Sequence, residues 1–194
     1  MKLVLASTSP RRRELLARIG IVPARLAAPD IDETPLKAEP PRAYVARLAE
    51  AKALAVERAA DEIVLAGDTT VAVGRRILEK PADEADLRRM LGQLSGRRHH
   101  VFSGVCIIGP DGRPRVRVAD TIVAFKALSP AEIDWYVASG EGMGKAGGYA
   151  IQGKAEAFVR YLAGSHSNVV GLPIFETRAL LTSAGLPLHQ PQAD

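Results

Sequence analysis

The chain opens with a short apolar run, Leu3-Val4-Leu5-Ala6, that breaks at Ser7-Thr8-Ser9-Pro10 and passes at once into the helix-forming stretch Arg11-Arg12-Arg13-Glu14-Leu15-Leu16. Apolar runs of this length bounded by turn residues read as buried strands, and Ser9 followed by Pro10 reads as an N-cap and a first helical residue. The spacing predicts a strand over 2–6, a helix ending near Gly20 and a second short strand over 22–27. After a polar loop ending in Asp30-Ile31-Asp32-Glu33-Thr34-Pro35, a long amphipathic helix is expected over 41–60. A buried strand over 63–66 then ends at Gly67-Asp68-Thr69-Thr70, and 70–73 with 76–79 read as a hairpin about Gly74.

Residues 83–94 read as a helix stopped by Ser95-Gly96. The β-rich stretches 99–108 and 115–125 flank the turn Pro110-Asp111-Gly112 and are expected to pair. Ser129-Pro130 opens another helix, to about Ala138. A Gly-rich loop over 140–153, a strand over 157–162 and a last helix over 173–183 complete the order. Helices and strands alternate without a sequence repeat, so an α/β sandwich around a mixed sheet is the most economical architecture. Residues 1–186 are expected to form a single domain, and 187–194 a disordered tail.

The first helix carries its cations at the wrong end. Arg11 and Arg12 fall beside unpaired backbone N–H groups and the positive end of the helix dipole, where each is unfavourable by about 0.3 to 1 kcal/mol. An anion would complete the arrangement, and a helix start bearing the Ser7 and Ser9 hydroxyls with arginines suits phosphate. A solvated basic helix start is the plainer alternative.

Composition removes several function classes. With 194 residues, 47% hydrophobic and 25% charged, the chain can bury one sizeable core. Its 26 basic and 22 acidic residues leave a net charge of only +4, too little to argue for a nucleic-acid partner. The one cysteine, Cys106, lies in an apolar run and reads as core, so no disulfide framework forms within the chain. No long apolar span appears, which points to a soluble, cytoplasmic protein without a membrane partner.

Charged residues stand where apolar ones are expected. Lys52 occupies the apolar stripe of the long helix, with Val45, Leu48, Ala49, Ala55, Val56 and Ala59. It either snorkels past its neighbours or reaches a cleft that holds an anion. Asp68 falls just past an apolar strand, where open α/β sheets place their ligands, although an Asx-turn would need none. Glu33 and Lys80 are weak signals singly. Together the set supplies cations for phosphate oxygens and carboxylates for a hard divalent metal.

Competing motifs are absent or poorly placed. There is no GxxxxGK[ST] loop, and no GxGxxG follows a strand. His99 and His100 are adjacent on a strand, point to opposite faces and cannot share a metal. Ser165-His166-Ser167 lacks a GxSxG elbow and an acidic third member, and Ser167 and Asn168 read as turn or cap residues before the last helix.

The segments Leu5-Ala6-Ser7-Thr8-Ser9-Pro10-Arg11-Arg12, Asp32-Glu33-Thr34-Pro35, Ala51-Lys52-Ala53, Gly67-Asp68-Thr69, Glu79-Lys80-Pro81 and Gly148-Tyr149-Ala150-Ile151-Gln152-Gly153 closely resemble the Maf family of nucleoside triphosphate pyrophosphatases. The Gln152 segment, followed by Gly164-Ser165 and the run from Ser167 to Pro173, is similar to the subfamily acting on dTTP and UTP. The sibling subfamily prefers 7-methyl-GTP. One departure is Ala66-Gly67 where Gly-Ala is more usual, an exchange of two small residues expected to change little.

The resemblance implies a Maf/ITPase-like α/β fold, a mixed twisted sheet flanked by helices with two lobes around a cleft. It implies hydrolysis between the α and β phosphates with a divalent metal, Mg or Mn, in a homodimer. By position Asp68 matches the proposed general base, and Arg11, Thr69 and Gln152 match positions linked to substrate selection. Ser7, Arg12, Glu33, Lys52 and Lys80 match other residues of the catalytic cleft, with Glu33 sharing the metal with Asp68. Gln152 offers a donor and an acceptor, which suits the O4 and N3–H edge of uracil or thymine. Other readings are the 7-methyl-GTP enzyme and, since the family name is associated with septum formation, a regulatory binding protein of cell division.

Overall fold

The computed structural model describes residues 1–187, so nearly all of the tail expected beyond Leu186 lies outside the described residues. Its strands are β1 (Lys2–Ala6), β2 (Arg25–Ala27), β3 (Glu62–Val73), β4 (Arg76–Leu78), β5 (Arg98–Ile108), β6 (Pro114–Phe125) and β7 (Val159–Ala163). The helices are α1 (Pro10–Ala17), α2 (Pro41–Leu54), α3 (Glu84–Leu94), α4 (Pro130–Ala138), α5 (His166–Val170) and α6 (Ile174–Ser183). The sheet runs β2-β1-β3-β5-β6-β7, with β4 also on β3. β1 is parallel to β2 and β3, whereas β3, β5, β6 and β7 are successively antiparallel, which makes the sheet mixed.

Strand alternation divides the core between the two faces. Leu3, Leu5, Ile63 and Leu65 join a large cluster with Leu15 and Leu16 of α1, Leu87 and Leu91 of α3 and Leu180 and Leu181 of α6. Val4, Ala6, Val64 and Ala66 instead meet Ala49 and Ala53 of α2. Val45 and Leu48 of α2 are fully buried, each stabilising the packing by roughly 1.5–3 kcal/mol. Gly104 on β5 permits the close approach of α2, since a Cβ there would lie 2.2 Å from the Val45 carbonyl oxygen.

The expected elements occur in the expected order, but α5 is an additional helix where Ser167 and Asn168 read as turn or cap residues, and the ends differ. β2 is shorter than its apolar run, since Pro23 cannot donate to a ladder. α2 stops at Leu54, so Ala55, Val56 and Ala59 are not on it. Beyond it the Glu62 carboxylate accepts the Ala59 N–H and the Arg25 guanidinium, side-chain bonds that compete with continued helix. β3 does not end at Ala66 but runs on to Val73, carried by continuous pairing with β5. His99 is fully buried and bonds the Tyr149 hydroxyl at 2.8 Å, whereas His100 meets Asp120 near the surface, in keeping with opposite faces.

Candidate active site

β1 is shorter than β3, and that difference opens the site. β1 pairs with β3 only as far as Ala6 opposite Ala66, and β4 takes up the same edge from Val71 onward. Gly67, Asp68, Thr69 and Thr70 are therefore held by β5 on one side, while their other edge lies open beyond the carboxyl end of β1. Alternation sends the Asp68 side chain toward α2 and the Thr69 side chain toward α5 and α6. Asp68 thus sits in the middle of a strand, not after one, and no Asx-turn accounts for it.

On the α2 face, Lys52 completes the first half of the site. The Gly104 contact brings α2 against the sheet, and the Lys52 ammonium in its last turn lies 2.6 Å from Asp68 Oδ1 and 2.8 Å from Glu33 Oε1. The Lys52 and Asp68 side chains are each 10% exposed and that of Glu33 is 43% exposed, so the pair is buried and its third member reaches water. Burial pushes the Glu33 carboxyl up, but the Lys52 hydrogen bond and the charges of Lys52, Lys80 and Arg12 outweigh it and hold Glu33 below the usual carboxylate range. Lys52 therefore reaches the cleft and does not snorkel past its neighbours. The Tyr44 hydroxyl, donating to the Glu33 carbonyl oxygen at 2.9 Å, fixes the loop that carries this carboxylate.

On the opposite face, α1 supplies the arginines. Arg12 Nε donates to the Gly171 carbonyl oxygen at 2.8 Å and its Nη1 to Ser7 Oγ at 3.1 Å, so the half-buried guanidinium is anchored at two points. Desolvation lowers its pKa, the Asp68 charge opposes that, and Arg11 adds to the lowering. Arg11 Nε reaches the Val170 carbonyl oxygen at 3.3 Å. Ser9 occupies the N-cap position, but its hydroxyl makes no capping bond, and the first turn holds no acidic residue. The helix start thus offers its N–H groups and cations to the cleft without an internal anion. A Cβ at Gly67 would lie 3.2 Å from the Gly104 carbonyl oxygen and 3.7 Å from Arg12 Nε, so the order Ala66-Gly67 is less interchangeable than two small residues suggest.

One cleft of about 460 Å³ is lined by Ser7, Ser9, Arg11, Arg12, Glu33, Lys52, Asp68, Thr69, Lys80 and Gln152 together. Every candidate site residue named from the sequence is in that wall. A second hollow adjoins it around Glu33, Asp68 and Lys80, extending to Tyr44 and Glu79. Among the described residues no three His, Cys, Asp or Glu side chains converge as a metal cluster. The pair Asp68 and Glu33 nonetheless suits a hard cation that takes its remaining ligands from phosphate and water, since Lys52 occupies only Oδ1 and Oε1.

Three contributors escaped the sequence reading. Lys145 lines the same cleft, its pKa lowered first by burial and then by Arg11. Its only signal was its place in the loop that carries Gln152. Tyr149, rooted by His99, lines the cleft from beneath that loop, and the Tyr136 hydroxyl accepts the Ala150 N–H. Ser103 is fully buried behind Thr69; a serine in the inward register of His99, Val101 and Val105 was legible as a polar residue on an apolar face. Ser167 accepts the Ile174 N–H at the start of α6, as a cap residue would, but Asn168 is wholly buried and ties Val101 to Thr121.

A family model described as Maf-like protein matches residues 2–184. The chain is 82% identical over 186 residues to a protein of Sphingopyxis alaskensis named dTTP/UTP pyrophosphatase, covering 96% of this chain and 98% of that one. Proteins of the same name from Novosphingobium aromaticivorans and Zymomonas mobilis are 59% and 57% identical, covering 97% and 96% of this chain and 94% and 93% of theirs. Among solved structures, the Ham1 protein of Staphylococcus aureus superposes on 64% of this chain and 72% of its own, with a TM-score of 0.45 at 18% identity.

Proposed function

This chain belongs to the Maf-like protein family, and from that premise we propose that it hydrolyses dTTP and UTP, and modified pyrimidine triphosphates of the same edge pattern, to the monophosphate and pyrophosphate. The observation that carries the reading is the convergence of Arg11, Arg12, Lys52, Lys80 and Lys145 with only Asp68 and Glu33 in one cleft. A nucleoside triphosphate brings about four negative charges near neutral pH. Five cations against two carboxylates leave an excess that offsets most of them, and a divalent metal supplies the rest.

In this reading Arg11, Arg12, Lys80 and the start of α1 grip phosphate oxygens, and the anchoring of Arg12 by Gly171 and Ser7 removes the cost of ordering it on binding. Asp68 orients a water and takes its proton as the oxygen attacks the α phosphorus. Lys52 holds Asp68 and Glu33 in register and offsets charge developing on the phosphates. Mg²⁺ or Mn²⁺, shared by Glu33 and Asp68, would neutralise phosphate charge and polarise the bond to be broken. Gln152 presents its amide to the base edge and Thr69 its hydroxyl.

The same reading takes residues 1–186 as one domain acting as a cytoplasmic homodimer, and among the described residues no helix is long and apolar enough to cross a membrane. The relatives' names favour neither a 7-methyl-GTP enzyme nor a regulatory binding protein. The test is a nucleotide panel with Mg²⁺ or Mn²⁺. Monophosphate and pyrophosphate from dTTP and UTP are expected; release of terminal phosphate alone, or no cleavage, overturns the proposal.

A further inference from the structure

Behind Thr69 lies a hydroxyl chain whose proton count constrains the ligand. Thr69 Oγ1 is 2.7 Å from Ser103 Oγ and 3.3 Å from the Gly171 carbonyl oxygen, and Ser103 Oγ is 3.0 Å from the Asn168 carbonyl oxygen. Ser103 is fully buried. Asn168 is itself immobilised, its amide nitrogen donating to the Val101 carbonyl oxygen at 2.9 Å and to Thr121 Oγ1 at 2.8 Å.

Each hydroxyl carries one proton, and both carbonyl oxygens can only accept. Two assignments satisfy the chain. Ser103 donates to Asn168 and Thr69 donates to Ser103, or Ser103 donates to Thr69 and Thr69 donates to Gly171. The first uses the two shorter contacts, 2.7 and 3.0 Å, in place of 2.7 and 3.3 Å, and it leaves no buried carbonyl without its donor. Because Gly171 already accepts from Arg12 whereas Asn168 relies on Ser103, the first assignment prevails, and it turns the Thr69 proton into the protein toward Ser103. Only lone pairs face the cleft.

We propose that Ser103 is a positioning residue that fixes the Thr69 hydroxyl as an acceptor toward the nucleotide, so that Thr69 selects a base presenting a ring N–H, the imide N3–H of uracil and thymine. The inference rests on the proposed dTTP/UTP activity and changes one contact in it: Thr69 takes the N3–H, which leaves the Gln152 amide N–H for O4. A base blocked at that nitrogen leaves the acceptor without its donor. Replacing Ser103 by Ala frees Thr69 to turn its proton outward, with only the longer Gly171 contact to restrain it.

The experiment compares kcat/KM for UTP, 3-methyl-UTP and 3′-deoxy-UTP. Wild-type enzyme is expected to prefer UTP over 3-methyl-UTP by roughly tenfold or more, the scale of a lost hydrogen bond in a closed site. Ser103→Ala and Thr69→Val should each narrow that ratio by lowering UTP turnover and not that of 3-methyl-UTP, whereas Ser103→Thr, which keeps the hydroxyl, should preserve it. A merely structural Ser103 would lower both substrates together and leave the ratio intact. Equal use of UTP and 3-methyl-UTP by wild type overturns the inference. So does a ratio unchanged by Thr69→Val, or a preference lost only with 3′-deoxy-UTP, which would assign the donor to the sugar. Failure to cleave UTP at all would instead sink the proposed activity.

Discussion

The Lys52 ammonium stands 2.6 Å from Oδ1 of Asp68, both side chains one-tenth exposed, where the last turn of α2 packs on the sheet face beside the stretch of β3 that β1 leaves unpaired. A buried ion pair of this kind seldom improves stability over apolar residues of the same volume, because two charges must leave water. Keeping it at the wall of a cationic cleft fits chemistry better than it fits folding. The consequences can be separated by experiment.

Asp68→Asn keeps the shape of the side chain and removes its basicity. Turnover of UTP should fall at least about a hundredfold, the order expected on loss of a general base, while nucleotide binding survives. Steady-state kinetics with equilibrium binding checks this. Unchanged turnover would remove Asp68 from its role.

Lys52→Met leaves Asp68 buried beside Glu33 without the cation that hydrogen-bonds both, with Arg12 and Lys80 acting only at longer range. Urea unfolding should show a loss of about 3 kcal/mol, the lower end of the range for breaking a buried pair because Glu33 is partly solvated. The double variant Lys52→Met with Asp68→Asn should lose less than the sum of the two single changes.

Arg12→Lys keeps the charge but not the fork that reaches Gly171, Ser7 and a phosphate together. A fall in kcat/KM of about ten- to a hundredfold is expected, without a comparable loss of thermal stability. Kinetics and melting curves on the same preparation decide it.

Burial lowers the pKa of His99 to about 4, with His100 adding to the effect. The unfolded chain binds this proton near pH 6.5 and the folded chain only near pH 4, so stability falls as the pH drops across that window and levels off below it. The full effect is on the order of 3 kcal/mol. Thermal melts between pH 7 and pH 4 should show a shallower slope for His99→Gln, which retains a partner for Tyr149 and cannot titrate.

Gly104→Ala places a Cβ 2.2 Å from the Val45 carbonyl oxygen and forces α2 away from the sheet. A stability loss of about 1–3 kcal/mol is expected, with kcat falling more than KM rises because Lys52 moves with the helix. Melting temperature and kinetics on soluble protein test both parts.

Much of this was legible in the sequence because periodicity marks what faces the core. Lys52 on the apolar stripe of α2 and the arginines at the start of α1 were visible as charges in the wrong place, and the structure brings them into one cleft. What the sequence hid was non-local. That β3 runs through Asp68 depends on pairing with β5, and the opening beside it depends on β1 ending four residues short of β4. Ser103 and Asn168 act through bonds to segments more than thirty residues away, which no local pattern announces.

On the proposed function, this cleft delivers water to the α phosphorus of a pyrimidine nucleoside triphosphate with Asp68 as the base. Hydrolysis of UTP in ¹⁸O-labelled water, followed by mass spectrometry of both products, tests it directly. One labelled oxygen is expected in the monophosphate and none in pyrophosphate. Label appearing in pyrophosphate or in released orthophosphate would contradict it.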